Sequence, residues 1–306
     1  MIEIHEIIID TDPGVDDALA LMLAIKSGIF EIHAITTVAG NTTIENATRN
    51  ARFILNLLKR EDIPVYSGAV KPLERDLIQS IVHGKSGIGD LRPQNEANLT
   101  HDAVENILSI IEKNPQEITL VTIGPLTNVA KAIMENSTIM SKLKEIVIMG
   151  GAIKVPGNAN RVAEFNIFVD PEAADIVFRF PMKKTLVPLD ACNRVKMSMS
   201  DFESIKNPSL REPIISMMHT YIQKTFERLE IKAAFMYDPV TVYSLINPSA
   251  CKKKEYNVLV ETRGELTRGM TVAELRKVKR EPPNVTVIET ISEKEFIEDF
   301  ITYLSL

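Results

Sequence analysis

Two periodicities alternate along this chain. Short runs rich in Ile, Val and Thr occur at "MIEIHEIIID" (1–10), "EIHAITTVA" (31–39), "EITLVTI" (117–123), "KEIVIM" (144–149) and "KTLVPL" (184–189). Such β-branched runs predict strands. Between them the apolar spacing becomes helical. Over residues 42–60, Ile44, Ala47, Ala51, Ile54, Leu55 and Leu58 share one face, while Asn46, Arg49, Asn50 and Lys59 fall elsewhere. Residues 102–113 repeat the pattern with Val104, Ile107, Leu108 and Ile111. Asp238 and Pro239 predict a helix start, Asp as the cap and Pro in the first turn. Ser292 and Glu295 have the spacing of a capping box before the last helix.

Strands alternating with helices imply a parallel sheet covered on both faces. No long Gly/Ser/Pro linker divides the chain, and no internal repeat is visible. The expectation is a single α/β domain over residues 1–306, with a mainly parallel central sheet flanked by helices. The Gly-rich stretch "HGKSGIGD" (83–90) and a polar helix at about 200–235 read as additions at one edge. In open α/β sheets, ligands bind outside the carboxyl ends of the strands. Those ends bring Asp10 and Asp12, Gly40 and Asn41, Ile123, Gly124 and Asn128, Met149 with Gly150 and Gly151, and Asp190 toward one rim.

Composition narrows the function classes. The chain is 45% hydrophobic and 25% charged, with a formal net charge of −6. It has no basic stripe to hold a nucleic acid polymer and no acidic tail. No apolar run approaches the roughly 18 to 20 residues that span a bilayer. The N-terminal segment reads as a strand, not a signal peptide, so a cytoplasmic location is expected. Cys192 and Cys251 make no disulfide framework, and tryptophan is absent.

The unusual feature is "IIIDTDPGVDDALALMLAI" (7–25), which places Asp10, Asp12, Asp16 and Asp17 around a Pro-Gly pair beside an apolar strand. Two unit charges about 4 Å apart repel by about 1 kcal/mol in water and about 4 at an effective dielectric near 20. Capping of the following helix accounts for Asp16 or Asp17, because carboxylates satisfy N-terminal amides and the positive dipole end. It does not account for Asp10 and Asp12 as well. A cation does. With no Cys or His nearby the donors are hard oxygens, which disfavours zinc and suits calcium or magnesium. A D-x-D after an apolar strand also resembles the haloacid-dehalogenase-like phosphatases. Those continue with Gly-Thr or Gly-Val, whereas this chain has Pro13-Gly14 and no glycine-rich phosphate loop here.

The fuller pattern is more specific. "DTDPGVDDALAL" resembles the signature of the nucleoside hydrolases, the inosine-uridine preferring N-ribohydrolase family. "TVAGN" (37–41), "IGPLTN" (123–128), "MGG" (149–151), "GN…AEFNIFVDPEAA" (157–174) and "DPV" (238–240) follow in that family's order and spacing. The resemblance covers at least residues 7–245. It implies a Rossmann-like core and calcium-dependent hydrolysis of ribonucleosides to free base and ribose, in nucleoside salvage.

Carried over residue by residue, the resemblance makes Asp10, Asp12, Asp17 and Asp238 ligands of one calcium per subunit, with the carbonyl of Ile123. Asp12 would also be the general base toward the attacking water. Asp16, Asn41, Asn158, Glu164, Asn166 and Asp238 would hold ribose. Their carboxylates and amides suit vicinal hydroxyls and an oxocarbenium-like centre. Met149, Phe165 and Phe168 are either core or an apolar wall at the sugar.

At the leaving base the chain departs from the pattern. Many family members place His before the Asp-Pro, as an acid toward a purine. Here the residue is Tyr237, a poorer acid with an ordinary pKa of about 10. His83, in a loop resembling the family's flexible histidine-bearing loop, is a second candidate at the base. Tyr221 and His219, on the presumed helix beside the base pocket, are others. His5, His33 and His101 read as ordinary strand or surface residues. Purine-specialised members sandwich the base between tryptophans, which this chain lacks. The expectation is therefore pyrimidine preference (uridine, cytidine) or broad specificity. The alternative is a catalytically weak ribose- or nucleoside-binding protein on the same scaffold. Expected partners are a small nucleoside substrate and further copies of the chain, as homodimer or homotetramer, with no membrane.

Overall fold

The computed structural model describes residues 4–278 and 281–306. Six of the sheet strands are β1 (His5–Thr11), β2 (Phe30–Thr37), β3 (Val65–Ser67), β4 (Thr119–Thr122), β5 (Glu145–Met149) and β6 (Lys184–Val187). They lie in the order β3-β2-β1-β4-β5-β6, and all their pairings are parallel. The strand Val285–Ile291 adds in parallel to β6, and Cys251–Tyr256 closes that side as an antiparallel edge. The expected mainly parallel α/β sheet is thus present, with eight strands. Lys252, Lys253 and Lys254 lie exposed on the antiparallel edge, where charge discourages pairing with another chain.

The pleat of β1 shows why the sheet is covered on both faces. Ile7 and Ile9 belong to one hydrophobic cluster, and Ile8 to another on the opposite face. Helix α1 (Val15–Ser27) lies in the first cluster. It is apolar around most of its circumference, and Val15 to Ala24 are all buried, so it is a core helix and not an amphipathic surface helix. It packs against the helix Tyr237–Ile246, which brings Asp238 to the Asp16–Asp17 turn.

Helix α2 (Ile44–Leu57) buries the face expected of it, but Asn50 is buried too. Its amide donates to the carbonyls of Pro13 (2.9 Å) and Ser86 (2.8 Å). A polar residue at the edge of an apolar face thus ties the Gly-rich loop to the turn after β1. Helices α3 (Ala103–Lys113) and α4 (Thr127–Glu135) pack in the second cluster. The polar helix expected at about 200–235 is two helices, Met199–Glu203 and Pro208–Leu229.

Two capping expectations need correction. The helix after Phe235 begins at Tyr237 with Met236 as its cap, so Asp238 sits in the first turn and is not the cap. Its side chain lies instead beside Asp16 and Asp17. Ser292 is the cap of the last helix, Glu293–Ser305, but makes no side-chain cap bond. Glu295, the expected reciprocal partner, accepts from Asn247 Nδ2 at 3.3 Å.

Candidate active site

The turn after β1 is held by its own carboxylates. Asp17 sits three residues past the cap Gly14 and accepts its N–H at 2.9 Å. The same side chain accepts from Thr11 Oγ1 (2.6 Å), Asp12 N (3.3 Å) and Asn41 Nδ2 (3.1 Å). Asp12 accepts Asn41 N through Oδ2 at 2.5 Å. Asp10 accepts Thr36 Oγ1 (2.5 Å) and Asn128 Nδ2 (2.8 Å), both on Oδ1. Gly40 and Gly124 let the chain close on Asp12. A Cβ at 40 would lie 2.2 Å from its Oδ2, and one at 124 would lie 2.7 Å from its Oδ1.

After these bonds, three of this cluster's buried carboxylate oxygens have no partner: Asp10 Oδ2, Asp12 Oδ1 and Asp16 Oδ1. An orphaned buried carboxylate oxygen is expensive, and burial raises the proton affinity of the group instead. Burial pushes the Asp10 carboxyl up to about 7. Asp12, Asp16 and Asp238 are pushed well above the usual range, by burial first and then by neighbouring charge, that of Asp17 at Asp12 and Asp16 and that of Asp16 at Asp238. Asp17 is also raised by burial, although the Thr11, Gly14 and Asp12 donors oppose it. Among the described residues, Asp16, Asp17 and Asp238 bring carboxylate oxygens within 4.8 Å of one another. Asp10 and Asp12 stand outside that trio. The donors are all oxygen, and the orphans supply unused lone pairs, so the residues present fit a hard cation.

Above this floor opens a cavity of about 620 Å³. Asp16, Asn41, Ile123, Met149, Asn158, Glu164, Phe165, Asn166 and Asp238 all line it, together with His83, Tyr221 and Tyr237. Sequence positions from 16 to 238 therefore converge on one space. Glu164 caps the short helix Phe165–Val169, accepting from Asn166 N (2.9 Å) and Ile167 N (3.2 Å). It also accepts from Gly151 N at 3.1 Å, and burial pushes its carboxyl up to about 7. The Asn166 amide donates to the Ile123 carbonyl (2.9 Å) and contacts Met149 Sδ (3.5 Å). The carbonyl keeps a second lone pair. Asn158 Oδ1 is buried without a partner.

The far side of the cavity is aromatic. His83 Nδ1 accepts the N–H of Val15 at 3.1 Å, which leaves the ring proton on Nε2. Burial pushes this imidazole down to about 3, and Asp16 Oδ1 is 3.8 Å from the same Nδ1. The ring packs on Tyr221 at 5.6 Å between centroids. Tyr237 stacks on Phe235 at 5.4 Å and 13°, and burial raises its hydroxyl far above the ordinary tyrosine range. Lys196 Nζ lies 5.6 Å from the Phe235 centroid.

Several expectations fall elsewhere. Asp190 accepts the Ile153 and Lys154 amides (both 2.8 Å) and is not at the cavity. Phe168 lies under the Arg268 guanidinium (4.6 Å) rather than at the sugar wall. His219 is exposed, 3.6 Å from Asp90. Cys192 and Cys251 are both free thiols, in line with the absence of a disulfide framework expected from the sequence. Sequence reading passed over Phe235, Asn193, Lys196, Thr225 and Arg228, which line the cavity. The helical spacing of 221, 225 and 228 was a usable signal, since it puts all three on one face.

Comparison with known proteins agrees with this geometry. The family model described as inosine-uridine preferring nucleoside hydrolase matches residues 7–298. A pyrimidine-specific ribonucleoside hydrolase, RihA, from Salmonella paratyphi B is 39% identical over 300 residues, covering 95% of this chain and 96% of that protein. The solved structure of a plant nucleoside hydrolase, the PpNRh1 enzyme, superposes with a TM-score of 0.92 at 32% identity, covering 98% of this chain and 99% of that one. A purine-preferring ribonucleoside hydrolase from Gardnerella vaginalis gives 0.91 at 29% identity, covering 98% of each chain.

Proposed function

This chain belongs to the inosine-uridine preferring nucleoside hydrolase family, and on that premise we propose that it is a calcium-dependent, pyrimidine-preferring ribonucleoside hydrolase. The observation that carries the reading is the set of orphaned oxygens on Asp10, Asp12 and Asp16, of which Asp16 lines the cavity. Asp10, Asp12, Asp17, Asp238 and the Ile123 carbonyl would hold the ion. Asp16 offers an oxygen within 4.8 Å of those of Asp17 and Asp238, and serves the ribose from the same cluster. When bound, calcium neutralises the carboxylates and acidifies a neighbouring water.

The chain's own groups then divide the work. Asp12 Oδ1, free of any other bond, takes the proton from the attacking water. Asp16, Asn41, Asn158, Glu164, Asn166 and Asp238 hold the ribose hydroxyls, and their oxygens stabilise positive charge developing at the sugar. Met149 and Phe165 exclude bulk water from that side.

The leaving base meets the Phe235–Tyr237 stack, Tyr221 and His83. With the His83 pKa down and the Tyr237 pKa up, neither side chain is an efficient acid at neutral pH. Both remain hydrogen-bond donors and aromatic surfaces. This favours pyrimidines over purines, whose departure relies more on protonation, and the absence of tryptophan removes the purine sandwich. The resemblance to RihA supports the same preference. Catalytic efficiencies on uridine, cytidine and inosine test it: either pyrimidine should exceed inosine about tenfold or more, and the reverse order contradicts it. Assembly as a homodimer or homotetramer is proposed from the family alone. No helix among the described residues is long and apolar enough to cross a membrane.

A further inference from the structure

Asn128 does not line the cavity, yet its amide is fully buried against the site. It sits in the first turn of α4, one strand along from Asp10. Its Oδ1 accepts the Ala69 N–H at 2.9 Å, and its Nδ2 donates to Asp10 Oδ1 (2.8 Å) and the Thr37 carbonyl (3.0 Å). The orientation of this amide is unambiguous. A backbone N–H can only donate, so the oxygen must face Ala69 and the nitrogen must face Asp10. Gly68 makes the cradle: a Cβ there would lie 2.2 Å from Asn128 Oδ1 and 2.6 Å from Nδ2.

Asn128 and Thr36 both donate to the same oxygen of Asp10. The other oxygen, Oδ2, is buried and has no partner. A carboxylate free to rotate would share its donors between both oxygens. Here the donors fix its plane. We propose that Asn128 is a positioning residue of the cation site, holding Asp10 so that Oδ2 alone is left for the ion. Because the amide also joins Thr37 and Ala69, the same side chain registers the tips of β1 and β2 and the chain after β3. This inference rests on the proposal that the aspartates bind calcium.

The test measures calcium affinity directly, by calorimetry and by terbium luminescence competed with calcium, on the wild-type protein, Asn128→Asp and Thr36→Val. Asn128→Asp keeps size and removes both donors. Loss of an outer-shell partner typically costs about 10- to 100-fold in metal affinity, and that loss is expected here. Uridine turnover should return toward wild type when calcium is raised in proportion. Thr36→Val should lose affinity to a smaller extent. Unchanged calcium affinity in Asn128→Asp, with only a lowered Tm, would overturn the inference and leave Asn128 as a strand tie. If Asn128→Asp does not fold, Thr36→Val decides: unchanged affinity there overturns it. A wild-type protein that binds neither ion fails at the earlier step, the cation site itself.

Discussion

The backbone N–H of Asn41 meets Asp12 Oδ2 at 2.5 Å, and the other oxygen of Asp12 is left buried and unpartnered. This asymmetry is what the proposed general-base role of Asp12 requires. One oxygen ties the side chain to the loop after β2, and the other can accept a proton. Asp12→Ala should lower turnover of uridine at least ~10²-fold, the lower end for loss of a general base. Circular dichroism and Tm should show a retained fold. Near-normal turnover would remove Asp12 as the base.

Tyr237 is stacked on Phe235, and its hydroxyl is a weaker acid than an ordinary tyrosine. Tyr237→Phe keeps the stack and should keep kcat on uridine within about tenfold, since loss of a true general acid costs ~10²–10⁴. Tyr237→Ala should raise KM. A collapse of kcat in Tyr237→Phe would show that the hydroxyl protonates the base.

His83 accepts a helix N–H and is held neutral by burial, with its pKa down at about 3. The pH profile of kcat/KM should therefore carry no limb that His83→Gln removes. Disappearance of a limb near pH 6 to 7 in that variant would show that His83 titrates as an acid after all.

Calcium should stabilise the protein more at high pH than at low. Without an ion, Asp10 and Glu164 have folded pKa values of about 7, above their unfolded values. A raised carboxyl pKa contributes stability that is present below the unfolded pKa and lost as pH rises through the folded one. The chelated protein should thus lose Tm from about pH 4 to about pH 7, and calcium should restore it above that window. Asp10→Asn should flatten the slope. A chelated Tm that rises steadily across the window would contradict the burial argument.

The motif from Asp10 to Asp17 and the distant positions up to Asp238 were legible because chemistry-bearing residues sit at strand ends and turns. There the parallel sheet leaves them little choice of place. Asp238 was legible as a site residue but misread as a cap, because the local Asp-Pro signal does not report the helix packing that sets it in the first turn beside Asp16 and Asp17. Asn128 was placed at the strand-end rim, but its bond to Asp10, like the bonds of Asn50, was hidden for a different reason. Each is a single amide bridging segments distant in sequence, and no periodicity reports such a bond. Phe235 and Arg228 escaped because a cavity wall looks like any amphipathic surface until the opposing wall is known.

The central claim, hydrolysis of the N-glycosidic bond at the calcium-loaded aspartate floor, is tested most directly by following free ribose and free base from uridine, cytidine and inosine. With calcium present, ribose and base should appear in equal amounts. Release should stop when a chelator strips the ion and resume when calcium is returned. No ribose from any of the three nucleosides, with calcium shown to be bound, would contradict the account.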